Sequence, residues 1–209
     1  MRVTAVIPFK GKGAKSRLSG IASLKQRRVL ALSMLGDVIS AVKSTPGVRD
    51  VLMVTSDPAA AERASARGVS VVRESSDSGV NSAVLSALRL LERPGAFVVL
   101  PSDLPLLEAS DISNAIRFLE HGFQVVLSPS RSFNGTNMLL GTLQGMIPLS
   151  YDKDSFRNHI ASCARRGLRL AVCCSRGLLF DLDSPSDLAE LARSRKKTAS
   201  AALARRLSP

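Results

Sequence analysis

Short apolar segments alternate with segments of helical character along most of the chain, and this alternation restricts the possible folds more than any other feature. The apolar segments lack strict polar–apolar alternation and predict strands at Arg2–Ile7, Val51–Thr55, Val69–Arg73, Phe97–Leu100, Val125–Ser128, Asn137–Leu140, Leu170–Cys174 and Leu178–Asp181. Helical spacing of apolar residues predicts helices at Leu24–Lys43, Ala59–Arg67, Asn81–Leu91, Ala109–Glu120 and Ser155–Arg166. Short buried strands interleaved with helices indicate an α/β domain with a mostly parallel sheet flanked by helices.

The first predicted strand runs directly into a loop rich in glycine and basic residues. Gly11 and Gly13 allow a ligand to approach the backbone closely, and exposed loop amides can face anionic oxygens. The cationic donors of this loop are Lys10, Lys12, Lys15 and Arg17. The spacing of a Walker loop is absent, so the loop predicts a phosphate site of another kind. The alternative is a solvated basic turn.

Aspartates follow two other predicted strands, where open α/β sheets bind their ligands. Asp103 comes after the fourth strand, and Asp181 and Asp183 lie on one face of an extended segment at the end of the last strand. Carboxylate oxygens suit Mg²⁺, so these side chains predict a three-carboxylate metal site. The alternatives are a turn aspartate at Asp103 and a helix cap at Asp183 or Ser184, which would leave Asp181 free.

A third polar region lies between these two. Thr136 and Asn137 follow a glycine turn, and Ser155 begins a predicted helix. Such groups offer hydroxyls and amides to a small anion, which Arg157 or His159 would neutralise. An ordinary turn followed by a helix N-cap is the alternative.

The net charge of +12 is concentrated in two segments. Residues 1–36 contain eight basic residues and residues 193–209 contain six, with no acidic residue in either segment, while the remainder is close to neutral. A duplex-binding face requires a basic stripe or a recognised motif, and neither is present. We therefore expect no specific nucleic-acid partner, although non-specific contact through the C-terminal segment remains open.

Length and composition favour a single α/β domain, residues 1–192, followed by a basic tail, residues 193–209. The tail lies outside every candidate motif and is expected to be dispensable for the chemical step. No apolar run approaches the roughly 20 residues of a membrane span, and the three cysteines form no disulfide framework or metal spacing. We expect a soluble, cytoplasmic protein.

Together these segments resemble the 2-phospho-L-lactate guanylyltransferase family of coenzyme F-420 biosynthesis, from Ala5 to Leu188. The motifs that carry the resemblance are Val6-Ile-Pro-Phe-Lys10, Ala14-Lys-Ser-Arg-Leu18, Gly79-Val-Asn81, Ser102-Asp-Leu-Pro-Leu106, Gly135-Thr-Asn137, Ser155-Phe156 with His159, and Asp181-Leu-Asp183-Ser-Pro185. One difference bears on the acid pocket: the chain has Asp152-Lys-Asp154 where many members carry glycines.

The resemblance implies a Rossmann-like nucleotidyltransferase fold of the GT-A type, GTP and Mg²⁺ as reactants, and a homodimer. It implies that Lys15 and Arg17 hold the triphosphate and act in catalysis with Asp103, and that Asp103, Asp181 and Asp183 hold the metal. The further nucleotide-binding residues that it implies are Pro8, Lys10, Ser16, Gly79, Asn81 and Ser102. The residues that it implies for the acid substrate are Thr136, Asn137, Ser155 and His159.

The expected reaction transfers GMP from GTP to 2-phospho-L-lactate or phosphoenolpyruvate and releases pyrophosphate. A phosphate monoester already carries a nucleophilic oxygen at neutral pH, because its second pKa is about 6, so no catalytic histidine or serine is required. The residues do not fix the base or the acid. Another nucleotidyltransferase, such as a molybdopterin guanylyltransferase or a sugar-phosphate enzyme, is the nearer alternative, and a basic nucleic-acid-binding protein is the distant one.

Overall fold

A seven-stranded sheet forms the centre of the computed structural model, which describes residues 1–11, 15–91 and 95–208. The strands are β1 (Val3–Pro8), β2 (Val48–Thr55), β3 (Ser70–Arg73), β4 (Ala96–Val99), β5 (Val125–Pro129), β6 (Thr136–Thr142) and β7 (Leu170–Val172). The helices in these ranges are α1 (Leu24–Lys43), α2 (Pro58–Ser65), α3 (Val80–Leu88), α4 (Ala109–Glu120), α5 (Ser155–Arg165), α6 (Arg176–Leu179), α7 (Pro185–Arg193) and α8 (Ala199–Leu207). None of the described helices has the length and apolar character needed to cross a membrane.

The sheet has the strand order β3-β2-β1-β4-β6-β5-β7, which confirms the predicted α/β fold with a mostly parallel sheet. Only β6 runs antiparallel to its neighbours among the described strands, because a short loop, residues 130–135, joins it to β5. The chain leaves β1 for β2 on one side, while β4 lies on the other. This change of direction opens a crevice at the carboxyl ends of β1 and β4, where such sheets bind ligands.

Both faces of the sheet are covered, because successive residues of the buried strands point to opposite sides. Ala5 and Ile7 of β1 pack in a core with α1, α2 and α4, whereas Val6 packs in a second core with α3 and α5. A third cluster joins α1 to α7 and α8. These three cores hold the loops at the carboxyl edge of the sheet in place.

The last predicted strand, Leu178–Asp181, is wrong. The Ser175 side chain accepts a hydrogen bond from the Leu178 amide at 3.3 Å and begins the single-turn helix α6. The chain then extends past Asp181 without joining the sheet. The Leu182 amide donates instead to the Asp103 carbonyl at 3.1 Å, which links the two aspartate loops directly.

The C-terminal segment differs from the expected basic tail, because it packs against the domain. Ala201 and Ala204 of α8 are fully buried in the cluster with α1 and α7. The Asp37 carboxylate accepts from the Ser200 amide at 3.0 Å at the start of α8. The Lys196 ammonium donates to the carbonyls of Leu106 and Leu107 at 2.6 and 2.8 Å. The sequence-based boundary between residues 192 and 193 is therefore not a boundary of the folded domain.

Truncation after Ala192 is accordingly expected to destabilise the protein strongly. It removes the buried face of α8 and exposes apolar surface on α1 and α7, so the thermal unfolding midpoint should fall by about 10 °C or more. The matched control is the double variant Arg205→Ala and Arg206→Ala, which removes charge but retains the helix. If thermal denaturation gave the truncated and full-length chains the same midpoint, the packing of α8 would contribute nothing to stability.

Candidate active site

The loops that follow β1 and β4 leave the sheet side by side. The Phe9 amide donates to the Val54 carbonyl at 2.9 Å, and the Leu100 amide donates to the Val6 carbonyl at 3.0 Å. A side chain at Gly11 would collide with the Asp57 carboxylate, so a glycine is needed where the loop passes this residue. The close contact that requires a glycine at position 11 is therefore a contact between the loop backbone and the Asp57 side chain. Lys12 and Gly13 lie outside the described residues.

Lys15 joins the first loop to both aspartate loops. Its ammonium lies 2.6 Å from Asp103 Oδ2 and 2.9 Å from Asp183 Oδ1, and its side chain is only 8% exposed. Burial disfavours the charged ammonium, but the carboxylates of Asp103 and Asp183 outweigh this effect and raise the pKa of Lys15 above its ordinary value. The Lys15 backbone is left-handed, with a φ of 56°, which this cluster stabilises. Arg17 lies nearby, 3.6 Å from Asp183.

Asp181 lies beside this cluster, and its carboxylate is bound by an amide side chain. The Asn137 amide nitrogen donates to Asp181 Oδ1 at 3.2 Å and to the Leu178 carbonyl at 2.9 Å. Burial, together with the charges of Asp103 and Asp183, raises the pKa of Asp181 above its ordinary value. Among the described residues no basic side chain forms an ion pair with Asp181. Asn137, which is predicted to bind the acid substrate, therefore binds the Asp181 carboxylate in this structure.

The donor chemistry of the three aspartates fits a divalent cation, although a lysine ammonium lies between two of them. Their oxygens are hard ligands, and Asp181 lacks a counter-charge in the described part of the chain. Among the residues that the structure describes, no group of three or more aspartate, glutamate, histidine or cysteine side chains is arranged to hold a metal ion. The Lys15 ammonium bridges Asp103 and Asp183 instead.

The helix cap that competed with the metal interpretation is formed by Ser184. Its side chain accepts from the Asp187 amide at 3.3 Å, and Asp187 Oδ2 accepts from the Asp183 and Ser184 amides at 3.0 and 2.8 Å. The Asp183 backbone therefore takes part in the cap, while its carboxylate faces Lys15. Capping and a role in the site are compatible.

Two cavities meet at Asp103. The first, of about 340 Å³, opens over β1 and β4, and the second, of about 540 Å³, lies between the β5–β6 loop and the Asp181 segment. The residues that line both cavities are Pro101, Asp103, Thr136 and Tyr151. The two cavities therefore adjoin at these four residues.

Half of the predicted nucleotide-binding residues, four of eight, line the first cavity. Pro8, Lys10, Lys15 and Ser102 line it. Lys10 also pairs with Asp77 at 3.3 Å, and Arg17 lines the second cavity. The walls of the two cavities, as described, do not include Ser16, Gly79 or Asn81. Gly79, with a φ of 89°, is the N-cap residue that precedes α3. The Asn81 side chain accepts a hydrogen bond from the Tyr151 backbone amide at 2.8 Å.

His159 supports the second cavity from behind and does not reach it. The imidazole is 0% exposed, its Nε2 accepts from the Ser150 amide at 3.1 Å, and its Nδ1 lies 3.0 Å from Thr136 Oγ1. Burial lowers the pKa of His159 to about 4, so the ring is neutral at pH 7. With Nε2 accepting, the proton is on Nδ1 and is donated to Thr136. The prediction that His159 neutralises a bound anion is therefore wrong. Because His159 donates to the Thr136 oxygen, the hydroxyl proton of Thr136 remains available to a molecule in the second cavity.

Ser155 lines the second cavity as the first residue of α5. Arg157, the other predicted neutralising group, is exposed and absent from both cavity walls as described. Asp154, which precedes Ser155, has a left-handed φ of 49°, a conformation that favours glycine. This backbone explains why glycines suit the segment in the resembling family. The side-chain nitrogen of Asn81 in α3 donates to Asp152 Oδ2 at 2.9 Å and so links the segment before Ser155 to α3.

The lining residues of the second cavity that the sequence did not assign to the site include Arg131 and Tyr151. Arg131 lies over the Phe180 ring at 4.9 Å from its centroid and pairs with Glu190 at 3.0 Å, and Tyr151 lines both cavities. Nothing in the sequence around Arg131 distinguishes it from an ordinary loop arginine. Tyr151 carried one signal, because it is the only tyrosine in the chain.

Comparison with known proteins shows what this chain is similar to over most of its length. The family model described as Guanylyl transferase CofC like matches residues 3–208. The chain is 40% identical to a phosphoenolpyruvate guanylyltransferase of Rubrobacter xylanophilus over 91% of this chain and 94% of that protein. It is 37% identical to a 2-phospho-L-lactate guanylyltransferase of Archaeoglobus fulgidus over 89% of this chain and 81% of that protein.

Solved structures share the fold at much lower sequence identity. A nucleotidyl transferase from Methanothermobacter thermautotroptrophicus superposes with a TM-score of 0.64 at 17% identity, over 91% of this chain and 95% of the other. At this identity the likeness supports the nucleotidyltransferase architecture of the sheet and says nothing about the substrate.

Proposed function

Since the chain belongs to the family of guanylyl transferases described as CofC like, we propose that it transfers GMP from GTP to a small phosphorylated carboxylic acid in coenzyme F-420 biosynthesis. Phosphoenolpyruvate and 2-phospho-L-lactate are the acids named for the relatives. The observation that carries this proposal is the pair of cavities that meet at Asp103. GTP would occupy the first cavity and the acid the second, so that the reacting phosphates meet at their junction.

The reaction needs orientation and charge neutralisation more than proton transfer. An oxygen of the acid's phosphate attacks the α-phosphorus of GTP, the bond to the β-phosphate oxygen breaks, and pyrophosphate leaves with the electron pair. The attacking oxygen is already ionised, because the second pKa of a phosphate monoester is about 6. Lys15, Lys10 and Arg17 supply positive charge on the first loop, which would stabilise the triphosphate and the departing pyrophosphate.

Asp103, Asp181 and Asp183 would hold Mg²⁺ in this proposal. The lack of an ion-pair partner for Asp181 among the described residues and the hard oxygen donors support this assignment. When bound, the ion would supply electrostatic stabilisation of phosphate charge. Because the Lys15 ammonium bridges two of these carboxylates, we infer that Lys15 turns toward the triphosphate when the ion is held.

The second cavity supplies neutral donors for the acid's carboxylate. The Thr136 hydroxyl has a free proton, since His159 donates to its oxygen, and Ser155 offers a hydroxyl and an amide at the start of α5. A helix N-terminus favours a bound anion. Arg17 and Arg131 add positive charge along the cavity wall.

A substrate panel tests the proposed function directly. Pyrophosphate release should be measured with ATP, CTP, GTP and UTP, each combined with phosphoenolpyruvate, 2-phospho-L-lactate or a phosphorylated sugar. We expect release with GTP and one of the two phosphorylated acids, and dependence on Mg²⁺. Release with a phosphorylated sugar alone, or with no acid at all, would overturn the proposal.

Ser155→Ala is expected to weaken binding of the acid and leave GTP binding nearly unchanged. Losing a hydrogen bond to a charged group costs about 1.5–3 kcal/mol, so the KM for the acid should rise roughly 10- to 100-fold. Steady-state kinetics with each substrate varied in turn measures both constants. The control is Ser162→Ala on the same helix, because the Ser162 hydroxyl bonds within α5, donating to the Asn158 carbonyl and accepting from the Arg165 guanidinium, and it is absent from both cavity walls as described. A defect confined to the KM for GTP would mean that the two cavities are assigned the wrong way round.

The resemblance also implies a homodimer, and we propose that the enzyme is a cytoplasmic homodimer. Sedimentation equilibrium of the purified protein distinguishes a 22.2 kDa monomer from a dimer of twice that mass. A monomer that is fully active at assay concentration would overturn the proposed dimer and leave the reaction intact.

A further inference from the structure

The hydroxyl of Tyr151 is a buried polar group without a partner. Its oxygen is shielded from water and forms no hydrogen bond with any described residue. The side chain nevertheless lines both cavities, together with Asp103 and Thr136. Buried polar groups are nearly always paired in folded proteins, so this exception calls for a physical reason.

The surroundings of Tyr151 hold it firmly at this position. The backbone amide of Tyr151 donates to Asn81 Oδ1 at 2.8 Å. The side-chain nitrogen of the same Asn81 donates to the carboxylate of Asp152, the next residue of the loop. The ring packs edge-on against His159, with ring centroids 5.2 Å apart and an interplanar angle of 71°. Asn81 and His159 therefore fix the tyrosine from its backbone and its ring, and leave the hydroxyl unassigned.

An unpaired hydroxyl at this position lowers stability. Leaving a buried donor without an acceptor costs about 1–3 kcal/mol, and a phenylalanine would fill the same space without that cost. Burial also raises the pKa of Tyr151 well above its usual range, so the group stays protonated and acts as a donor at neutral pH. Packing alone would therefore favour phenylalanine over tyrosine, which points to a partner that arrives with the substrate.

We propose that Tyr151 is a catalytic residue whose hydroxyl donates a hydrogen bond to a phosphoryl oxygen at the junction of the two cavities. We take the acceptor to be anionic because each of the two adjoining cavities has a cation on its wall, Lys15 in the first and Arg17 in the second. The proposal rests on the proposed function, and the phosphoryl oxygen belongs either to the acid or to the α-phosphate of GTP. In both cases binding supplies an acceptor to a donor that has no partner among the residues described for the free protein.

Tyr151→Phe separates this role from a packing role. We expect kcat/KM to fall roughly 10- to 100-fold, as for the loss of one hydrogen bond to a charged group, while the thermal unfolding midpoint without substrate stays equal or rises. An increase confined to the KM for the acid assigns the hydrogen bond to the acid's phosphate. An increase confined to the KM for GTP, or a fall in kcat alone, assigns it to the α-phosphate.

A second measurement uses the fact that the chain has one tyrosine and no tryptophan. Protein labelled with ¹³C at the tyrosine ζ-carbon gives a single ring signal, which reports the hydrogen bonding of Tyr151 alone. Titration with phosphoenolpyruvate, with 2-phospho-L-lactate and with GTP should shift this signal for at least one of them. Lactate without its phosphate is the control and should leave the signal in place.

The outcomes decide between the alternatives. A variant that keeps kcat/KM within twofold of the wild type, or a ring signal that no phosphorylated ligand shifts, would overturn the role of Tyr151. Parallel losses of activity and of the unfolding midpoint would assign Tyr151 to packing and overturn it as well. A wild-type protein without pyrophosphate release from any substrate pair would instead reject the proposed function, and the titration would still test Tyr151.

Discussion

Asp103→Asn is expected to lower guanylyl transfer by about 100-fold or more while the protein stays folded. Asp103 lies where the two cavities meet, and its carboxylate pairs with the Lys15 ammonium at 2.6 Å. Removing one preorganised electrostatic group from a site of developing charge typically costs a factor of 10² to 10³ in kcat. The side chain is partly exposed and contributes little to the core, so the unfolding midpoint should change by only a few degrees.

Pyrophosphate release at saturating GTP and acid measures this effect, and Asp181→Asn should behave in the same way. The matched control is Asp50→Asn on the exposed side of β2, which should be fully active. Near-normal turnover by both Asp103→Asn and Asp181→Asn at ordinary Mg²⁺ concentrations would exclude the three-carboxylate site.

Lys15→Met is the second variant with a large expected effect. It leaves the facing carboxylates of Asp103 and Asp183 without the cation between them and removes positive charge from the triphosphate site. We expect transfer to fall by about 100-fold or more, on the same electrostatic grounds. Lys15→Arg should restore little, because the buried site fits a compact ammonium and not a planar guanidinium.

Single-turnover kinetics with saturating GTP distinguishes a loss of chemistry from a loss of binding. Lys25→Met, an exposed lysine on the first turn of α1, is the control and should retain wild-type activity. If Lys15→Met kept more than about a tenth of wild-type turnover, the ion cluster would be structural and the lysine would have no part in the transfer.

The sequence also predicted which loops converge. Asp103 and Asp181 were assigned to one site because the carboxyl ends of parallel strands share one edge of a sheet. Asp181 does lie near Asp103 although the predicted strand Leu178–Asp181 is wrong, since the Leu182 amide donates to the Asp103 carbonyl at 3.1 Å. The apolar spacing predicted the central strands well, whereas the ends of α2 and α3 shifted by one to three residues because caps set them.

The direction of individual side chains could not be predicted in this way. His159 was placed in the acid pocket from its position in a motif, but it lies behind Thr136 because Ser150 and Thr136 occupy both ring nitrogens. The C-terminal segment was assigned to a tail from its charge. Its alanines nevertheless bury a face against α1 and α7, and small apolar residues give little periodic signal.

The sequence by itself determined the fold class, the resemblance to guanylyltransferases and the loops that contain the site, because hydrophobic spacing and strand-end motifs are local properties. Only the tertiary structure decided that Lys15 bridges Asp103 and Asp183, that α8 belongs to the domain and that the Tyr151 hydroxyl has no partner among the described residues. Each of these depends on the distance between atoms far apart in sequence, which packing around the crevice sets and no local pattern encodes.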